Sequence, residues 1–155
     1  MRKFLALTAF ISFALFSKGQ NMASELELYQ SVFSSEKKMM IVEYMQLSDD
    51  QNAAFWDVYN AYEASRAELG KQRFQMLQDY ANGYESMTDE SAGELLKRAN
   101  SFAGKQDKLK SKYSKKMVKA IGAKKALQWM QFESYLDRVI GLYIMESLPF
   151  VGEYN

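Results

Sequence analysis

Two residue types that most often carry chemistry in proteins are missing from this chain. It contains neither histidine nor cysteine, so the common zinc and copper sites, haem attachment and iron–sulfur clusters lose their usual ligands. Ser–His and Cys–His catalysis is excluded for the same reason, as is the di-metal helical bundle that needs Glu-x-x-His. We therefore predict a protein that is not an enzyme and binds no metal ion or cofactor.

Paired carboxylates are the remaining candidates for acid–base catalysis of the glycosidase type. Asp49-Asp50 and Asp89-Glu90 each follow a Ser or Thr suited to begin a helix, and acids in a first turn are stabilised by the helix dipole. Ten methionines offer thioethers to copper(I), but no Met-x-x-Met grouping occurs. We interpret the acids as helix starts and the methionines as core or as adaptable apolar surface.

The most biased segment of the sequence runs from Lys97 to Lys125. It holds eleven basic residues and only one acid, Asp107, so its positive charges must repel one another unless something negative lies nearby. Two sources of negative charge remain open. One is an external acidic ligand, and the other is the acid-rich first half of the chain: Glu25, Glu27, Glu36, Glu43, Asp49, Asp50, Asp57 and Glu63.

Tyrosines recur at helical spacing through the chain. Because the tyrosine hydroxyl needs a polar partner, tyrosine is buried less readily than leucine, and we expect a stripe that is only half buried beside Arg66, Arg73 and the lysines. Such surface usually marks an interaction site or a dimer interface. The tyrosines concerned are Tyr59, Tyr62, Tyr80, Tyr84, Tyr113, Tyr135 and Tyr143. We predict that clients or partners bind at Tyr59, Tyr62, Arg66, Arg73, Lys105, Lys108, Lys112, Lys115, Lys116 and Lys119.

Residues 1–19 have the pattern of a cleaved secretion signal. Arg2 and Lys3 form a basic start, Phe4–Phe16 is an apolar run, and small residues precede a cleavage point after Gly19. A membrane-spanning helix needs about 20 apolar residues, so this run is too short to be an anchor. A lipid anchor would need a cysteine.

Cleavage there leaves residues 20–155 as a single domain outside the cytoplasm, in the periplasm or an equivalent compartment, with no stable membrane insertion. Since the signal contains three bases and no acid, its loss turns the net charge of +1 into −2. Nucleic acid is the usual partner of a lysine stripe, but an exported protein rarely meets it. An acidic protein client, an acidic partner domain or a charged lipid or glycan surface fits this compartment better.

Apolar residues spaced three and four apart predict an all-α fold. The second and third helices are long, similar in length and joined by a short connection, so we expect an antiparallel hairpin. The fourth is apolar on more than one side and should be buried by other helices or a second subunit. The predicted spans are 24–46, 49–82, 88 to about 122, and 123–148.

The helix starts carry the clearest local motifs. Ser48 and Gln51 have the spacing of a capping box, with Leu47 as the apolar residue just outside it, and Thr88 is the predicted cap of the third helix. Residues 47–56 and 121–130 show a weak internal similarity. It is open whether this similarity reflects duplication or chance.

A secreted chain with Leu47, Ser48 and Gln51 before a long basic hairpin resembles the Spy/CpxP-like family of periplasmic stress proteins, whose mark is Leu-Thr-x-x-Gln. Here Ser replaces Thr, and the second motif, expected at residues 121–125, keeps only the apolar residue. The resemblance implies a curved, cradle-like homodimer with a basic, partly apolar concave surface.

The resemblance also implies a function without ATP or cofactor. The leading hypothesis is a chaperone-like or envelope stress-response protein that binds unfolded or partner proteins. The alternative is a regulatory or sensor subunit of an extracytoplasmic sigma-factor or two-component stress system, with one dedicated partner. A third possibility is a structural bundle that binds an envelope surface.

Overall fold

Four long helices make up most of residues 22–153, the part of the chain that the computed structural model describes. Side chains are described from Phe33 to Glu153, so the predicted signal peptide and its cleavage site lie outside the described residues. No strand occurs within this part of the chain, and the all-α prediction is confirmed. The helices are α1 (Met22–Met45), α2 (Asp49–Gly83), α3 (Asp89–Ile121) and α4 (Ala123–Ser147), with a 3₁₀ turn at Tyr84–Ser86.

The helices α2 and α3 form the predicted antiparallel hairpin. Near its open end the hydroxyl of Tyr113 donates to the carbonyl of Ala61 at 2.8 Å. Near its tip Arg98 lies 2.6 Å from a carboxylate oxygen of Asp79. Residue numbers therefore fall along α2 as they rise along α3, as an antiparallel pair requires.

The helix α4 returns along both members of the hairpin. It is antiparallel to α3 and parallel to α2, since Tyr62 and Tyr80 of α2 donate hydrogen bonds to Glu133 and to the carbonyl of Pro149 respectively. The helix α1 packs against α2 and α4. Aromatic and aliphatic side chains from all four helices meet in the main core, which contains Ile41, Met45, Phe55, Tyr59, Tyr62, Tyr113, Met117, Ile121, Ala126, Trp129, Phe132 and Leu136.

The turns α1–α2 and α3–α4 meet at one end of the bundle. The side-chain amide of Gln51 donates to the carbonyl of Ile121 at 3.1 Å, and the ammonium of Lys125 donates to the carbonyl of Met45. Gln51 and Lys125 occupy equivalent positions in the similar segments 47–56 and 121–130. Gln51 thus satisfies a carbonyl at the C-terminal end of α3, and Lys125 satisfies one at the C-terminal end of α1. Carbonyls at helix C-termini have no intrahelical donor.

This cross-connection replaces the capping box predicted at Ser48. Ser48 does occupy the N-cap position, but its side chain caps no backbone N–H; its hydroxyl instead donates to the side-chain oxygen of Gln51 at 3.0 Å. The capping-box prediction is therefore wrong here. At Thr88 the predicted cap is confirmed, and Ser91 completes the box.

A single residue, Gly122, connects α3 to α4. Its φ of 81° and ψ of 160° lie in a region that is essentially restricted to glycine. The abrupt reversal between these helices therefore depends on glycine at position 122, which has no side chain.

Candidate binding surface

Of the seven tyrosines predicted to form a half-buried stripe, Tyr80, Tyr84 and Tyr143 are half buried and Tyr135 is exposed. Tyr59, Tyr62 and Tyr113 are buried, so the prediction of half burial is wrong for these three. Tyr62 packs edge-on against Trp129, with ring centroids 5.0 Å apart. Burial raises the pKa of Tyr59 and of Tyr62. A partner at the surface of this fold does not reach either ring.

The two arginines assigned to the same stripe are half buried. Arg66 donates to the carboxylate of Glu63 at 3.2 and 3.3 Å, and its guanidinium lies 4.7 Å from the ring centroid of Phe33. The guanidinium of Arg73 lies 6.0 Å from the ring centroid of Phe102. Both arginines therefore contact side chains of the same domain, through a carboxylate and an aromatic ring for Arg66 and through an aromatic ring for Arg73.

A buried group of charges, which the sequence did not reveal, joins α1 to α2 and α4. The ammonium of Lys37 lies 2.7 Å from a carboxylate oxygen of Glu63 and 2.7 Å from one of Glu133. The same oxygen of Glu133 accepts a hydrogen bond from Tyr62 at 2.9 Å. Lys37 and Glu133 are each about 1% exposed. With Arg66, this buried cluster contains two cations and two carboxyl groups.

Burial and charge act in opposite directions on the two carboxyl groups. Burial acts to raise the pKa of Glu63, but Lys37 and Arg66 outweigh it and hold this pKa below its usual value. For Glu133 burial prevails and the pKa is raised, although Lys37 opposes the shift. The second carboxylate oxygen of Glu133 has no hydrogen-bond partner, which agrees with burial being the dominant influence.

Helical spacing does contain a signal for this cluster. Lys37 stands four residues from both Phe33 and Ile41, and Glu133 stands four residues after Trp129. Positions four apart share one helix face, so both charges occupy core positions. Because Lys and Glu are usually exposed, the sequence pattern alone does not lead to the prediction that they are buried here.

The basic residues around α3 fall into a compensated and an uncompensated group. Carboxylates neutralise three of them, in the pairs Lys97–Glu94, Arg98–Asp79 and Lys110–Asp137. None of these carboxylates comes from the acid-rich first half of the chain. The local partners therefore cover only part of the positive charge.

The uncompensated group forms one row. Lys105 donates only to the neutral side-chain oxygen of Gln72, at 2.9 Å. The ammonium groups of Lys112 and Lys116 lie 5.4 and 5.1 Å from the ring centroid of Tyr113. Lys108, Lys115 and Lys119 have no hydrogen-bond or ion-pair partner within the described residues. We call these six lysines the lysine row; all are exposed.

A groove adjoins the lysine row where α2 and α3 approach the hairpin tip. Its volume is about 410 Å³, and Met76 and Phe102 supply its apolar surface. Its other lining residues are Lys71, Gln72, Gln75, Arg98, Ser101 and Lys105. No carboxylate lines it. We call this feature the tip groove.

Two further groups of exposed apolar side chains lie on α4 and between α1 and α2. On α4 they are Leu127, Tyr135, Leu142 and Met145, each more than half exposed. Between α1 and α2, Met39, Val42 and Trp56 line an open cavity of about 400 Å³. The α4 residues explain why the sequence of this helix is apolar on more than one side.

Two features are absent from residues 22–153. No helix there has the length and hydropathy needed to cross a membrane. No group of three or more acidic side chains there is arranged to hold a metal ion.

Comparison with known proteins provides no family assignment. Neither a family model, nor a curated protein, nor a solved structure matches this chain. The resemblance to Spy/CpxP-like proteins therefore rests on Leu47, Ser48, Gln51 and the hairpin pattern.

Proposed function

We propose that this protein works outside the cytoplasm as an ATP-independent, chaperone-like or envelope stress-response protein of the Spy/CpxP type. In this proposal it holds unfolded or partner proteins on the basic, partly apolar surface of the hairpin. The observation that carries the proposal is the lysine row. Six exposed cations lie along one helix and no carboxylate within the described residues neutralises them.

The physical basis of the proposal is long-range attraction followed by weak apolar contact. A row of like charges raises the local concentration of acidic partners and accelerates their association. Apolar side chains beside the row, such as those of the tip groove, then contact the partner without a dedicated deep pocket. Such binding tolerates many sequences, as a holding function requires.

The test is suppression of aggregation by the purified protein. A chemically denatured acidic client is diluted into buffer with increasing amounts of the protein, and light scattering is followed. We expect suppression at near-stoichiometric ratio that weakens as salt rises, because salt screens exposed charges. Absence of suppression at every salt concentration would refute the holding function.

Export has a separate test. The full chain with a C-terminal tag is expressed in a Gram-negative host, which is then fractionated, and the intact mass of the product is measured. A periplasmic product that begins at Gln20 supports the proposal. A cytoplasmic product that retains residues 1–19 argues against it.

The exposed apolar side chains of α4 favour a second candidate, a regulatory or sensor subunit with one dedicated partner, and they could equally form a homodimer interface. Exposed apolar surface of this kind usually marks a protein interface. Light scattering coupled to size-exclusion chromatography tests the homodimer: Leu142→Glu should convert a dimer to a monomer. A pull-down that recovers one stoichiometric partner, combined with no effect on generic clients, would favour the regulatory role.

A further inference from the structure

We infer that the tip groove and the lysine row form one continuous site for an extended acidic peptide segment that begins with an apolar side chain. This inference rests on the proposed function and makes it specific. The groove takes the apolar side chain, and the row takes acidic side chains that follow it. The occupant is a segment of a client or partner protein.

The distribution of charge decides which end of this site is apolar and which end is positive. At the groove, Arg98 is neutralised by Asp79 and Lys71 by Glu68, whereas Lys105 contacts only an amide oxygen. Uncompensated positive charge thus begins at Lys105, on the groove lining, and continues toward the C-terminal end of α3. The groove itself is the less charged end, where Met76 and Phe102 offer apolar contact.

Helix geometry keeps the row on one side of α3. Neighbouring lysines of the row are three or four residues apart, the spacing of a single helix face, except for Lys115 and Lys116, which are adjacent. At 100° per residue all six lie within an arc of about 100°. Asp107, the one acid in this stretch, is two residues after Lys105 and therefore lies about 160° away from it on the opposite flank. The row presents positive charge without an interposed carboxylate.

The length of the row sets the length of the peptide. Lys119 lies fourteen positions after Lys105, a rise of about 21 Å at 1.5 Å per residue. An extended chain covers this distance in about six residues at 3.3 Å each. Alternate side chains of such a chain point the same way, so about three acids face the row.

The probe is a fluorescein-labelled peptide with one leucine followed by alternating glutamate and serine, measured by fluorescence anisotropy. Two comparison peptides replace the leucine with serine or the glutamates with lysines. We expect the leucine–glutamate peptide to bind most tightly, the leucine-free peptide several-fold more weakly, and the lysine peptide not at all.

Variants of the protein locate the binding. Charge reversal at Lys108 and Lys115, K108E/K115E, should weaken the acidic peptide about tenfold, since two attractive contacts become repulsive. The matched control, K38E/K124E, changes the net charge equally at exposed positions on α1 and α4 and should change affinity less than twofold. S101W at the groove rim should abolish the advantage of leucine over serine while leaving the charge dependence.

Equal weakening by both double variants would overturn the inference, because binding would then follow net charge alone. So would polyphosphate of matched charge binding as well as the leucine–glutamate peptide, or an unchanged leucine advantage in S101W. The aggregation assay separates the two proposals. If K108E/K115E still suppresses aggregation, the holding function stands but does not use this site. If the protein binds the peptide but does not suppress aggregation, the site stands but the holding function does not.

Discussion

Replacing Lys37 with methionine removes the positive charge that joins α1 to Glu63 of α2 and Glu133 of α4. Methionine keeps most of the side-chain length, so the change is chiefly one of charge. Lys37 lies 2.7 Å from both carboxylates in the buried cluster. Removing one partner of a buried pair destabilises a protein by about 3–5 kcal/mol, because the remaining charge stays buried without its counter-ion.

That loss is large beside a total stability of about 5–15 kcal/mol. For a domain of this size it lowers the midpoint of thermal unfolding by roughly 10–20 °C. Urea unfolding followed by helical circular dichroism measures the free energy directly. The control is Lys38→Met, which removes the same charge at an exposed position and should change stability by less than about 0.5 kcal/mol.

A double-mutant cycle with Glu133→Gln tests the assigned partner. The amide oxygen of Gln still accepts from Tyr62, and the uncompensated carboxyl group is gone. The double variant should therefore be more stable than Lys37→Met alone, with a coupling of at least about 1 kcal/mol. A loss no larger than that of the Lys38 control, or strictly additive effects in the cycle, would refute the reasoning.

Three further predictions concern single positions. Because burial raises the pKa of Glu133 above its usual 4.5, its stabilising contribution is complete below that value and is lost as pH rises. Glu133→Gln should therefore gain stability relative to the wild type in urea unfolding as pH rises above about 4.5, and a difference that stays constant with pH would contradict this. Gln51→Ala should lose about 1 kcal/mol because the Ile121 carbonyl loses its donor; an unchanged urea midpoint would show that the bond is dispensable. Gly122→Ala should lose about 1–3 kcal/mol of folding stability because the φ of Gly122 is positive. Gly104→Ala, at an open helical position, should gain about 0.5–1 kcal/mol. Equal midpoints of thermal unfolding for the two variants would be inconsistent with the backbone argument.

The helices could be predicted closely because their signals are local. Apolar spacing and the residues at Ser48, Thr88 and Gly122 placed the helix ends within two residues of those observed. The hairpin followed from length and connection alone. These features depend on the backbone and on neighbours within a turn, which the sequence displays directly.

The wrong predictions arose where a side chain has a choice of partners. Gln51 has the spacing of a capping box, but the carbonyl of Ile121, distant in sequence, takes its amide. Tyr59 and Tyr62 were expected to be half exposed because their hydroxyls need polar partners. The tertiary structure buries both. Tyr62 donates a hydrogen bond to Glu133, whereas the Tyr59 hydroxyl is buried without a hydrogen-bond partner.

The sequence by itself determined the helical class, the hairpin and the excess of lysine along the third helix, because periodicity and composition are local properties. Only the tertiary structure decided which charges are compensated. Helical spacing places Lys37 on an apolar face, but it does not show that two carboxylates enclose this lysine while Lys108 faces solvent. The reason is physical: a charge is neutralised by what lies within a few ångströms in space, and helix packing alone sets that distance.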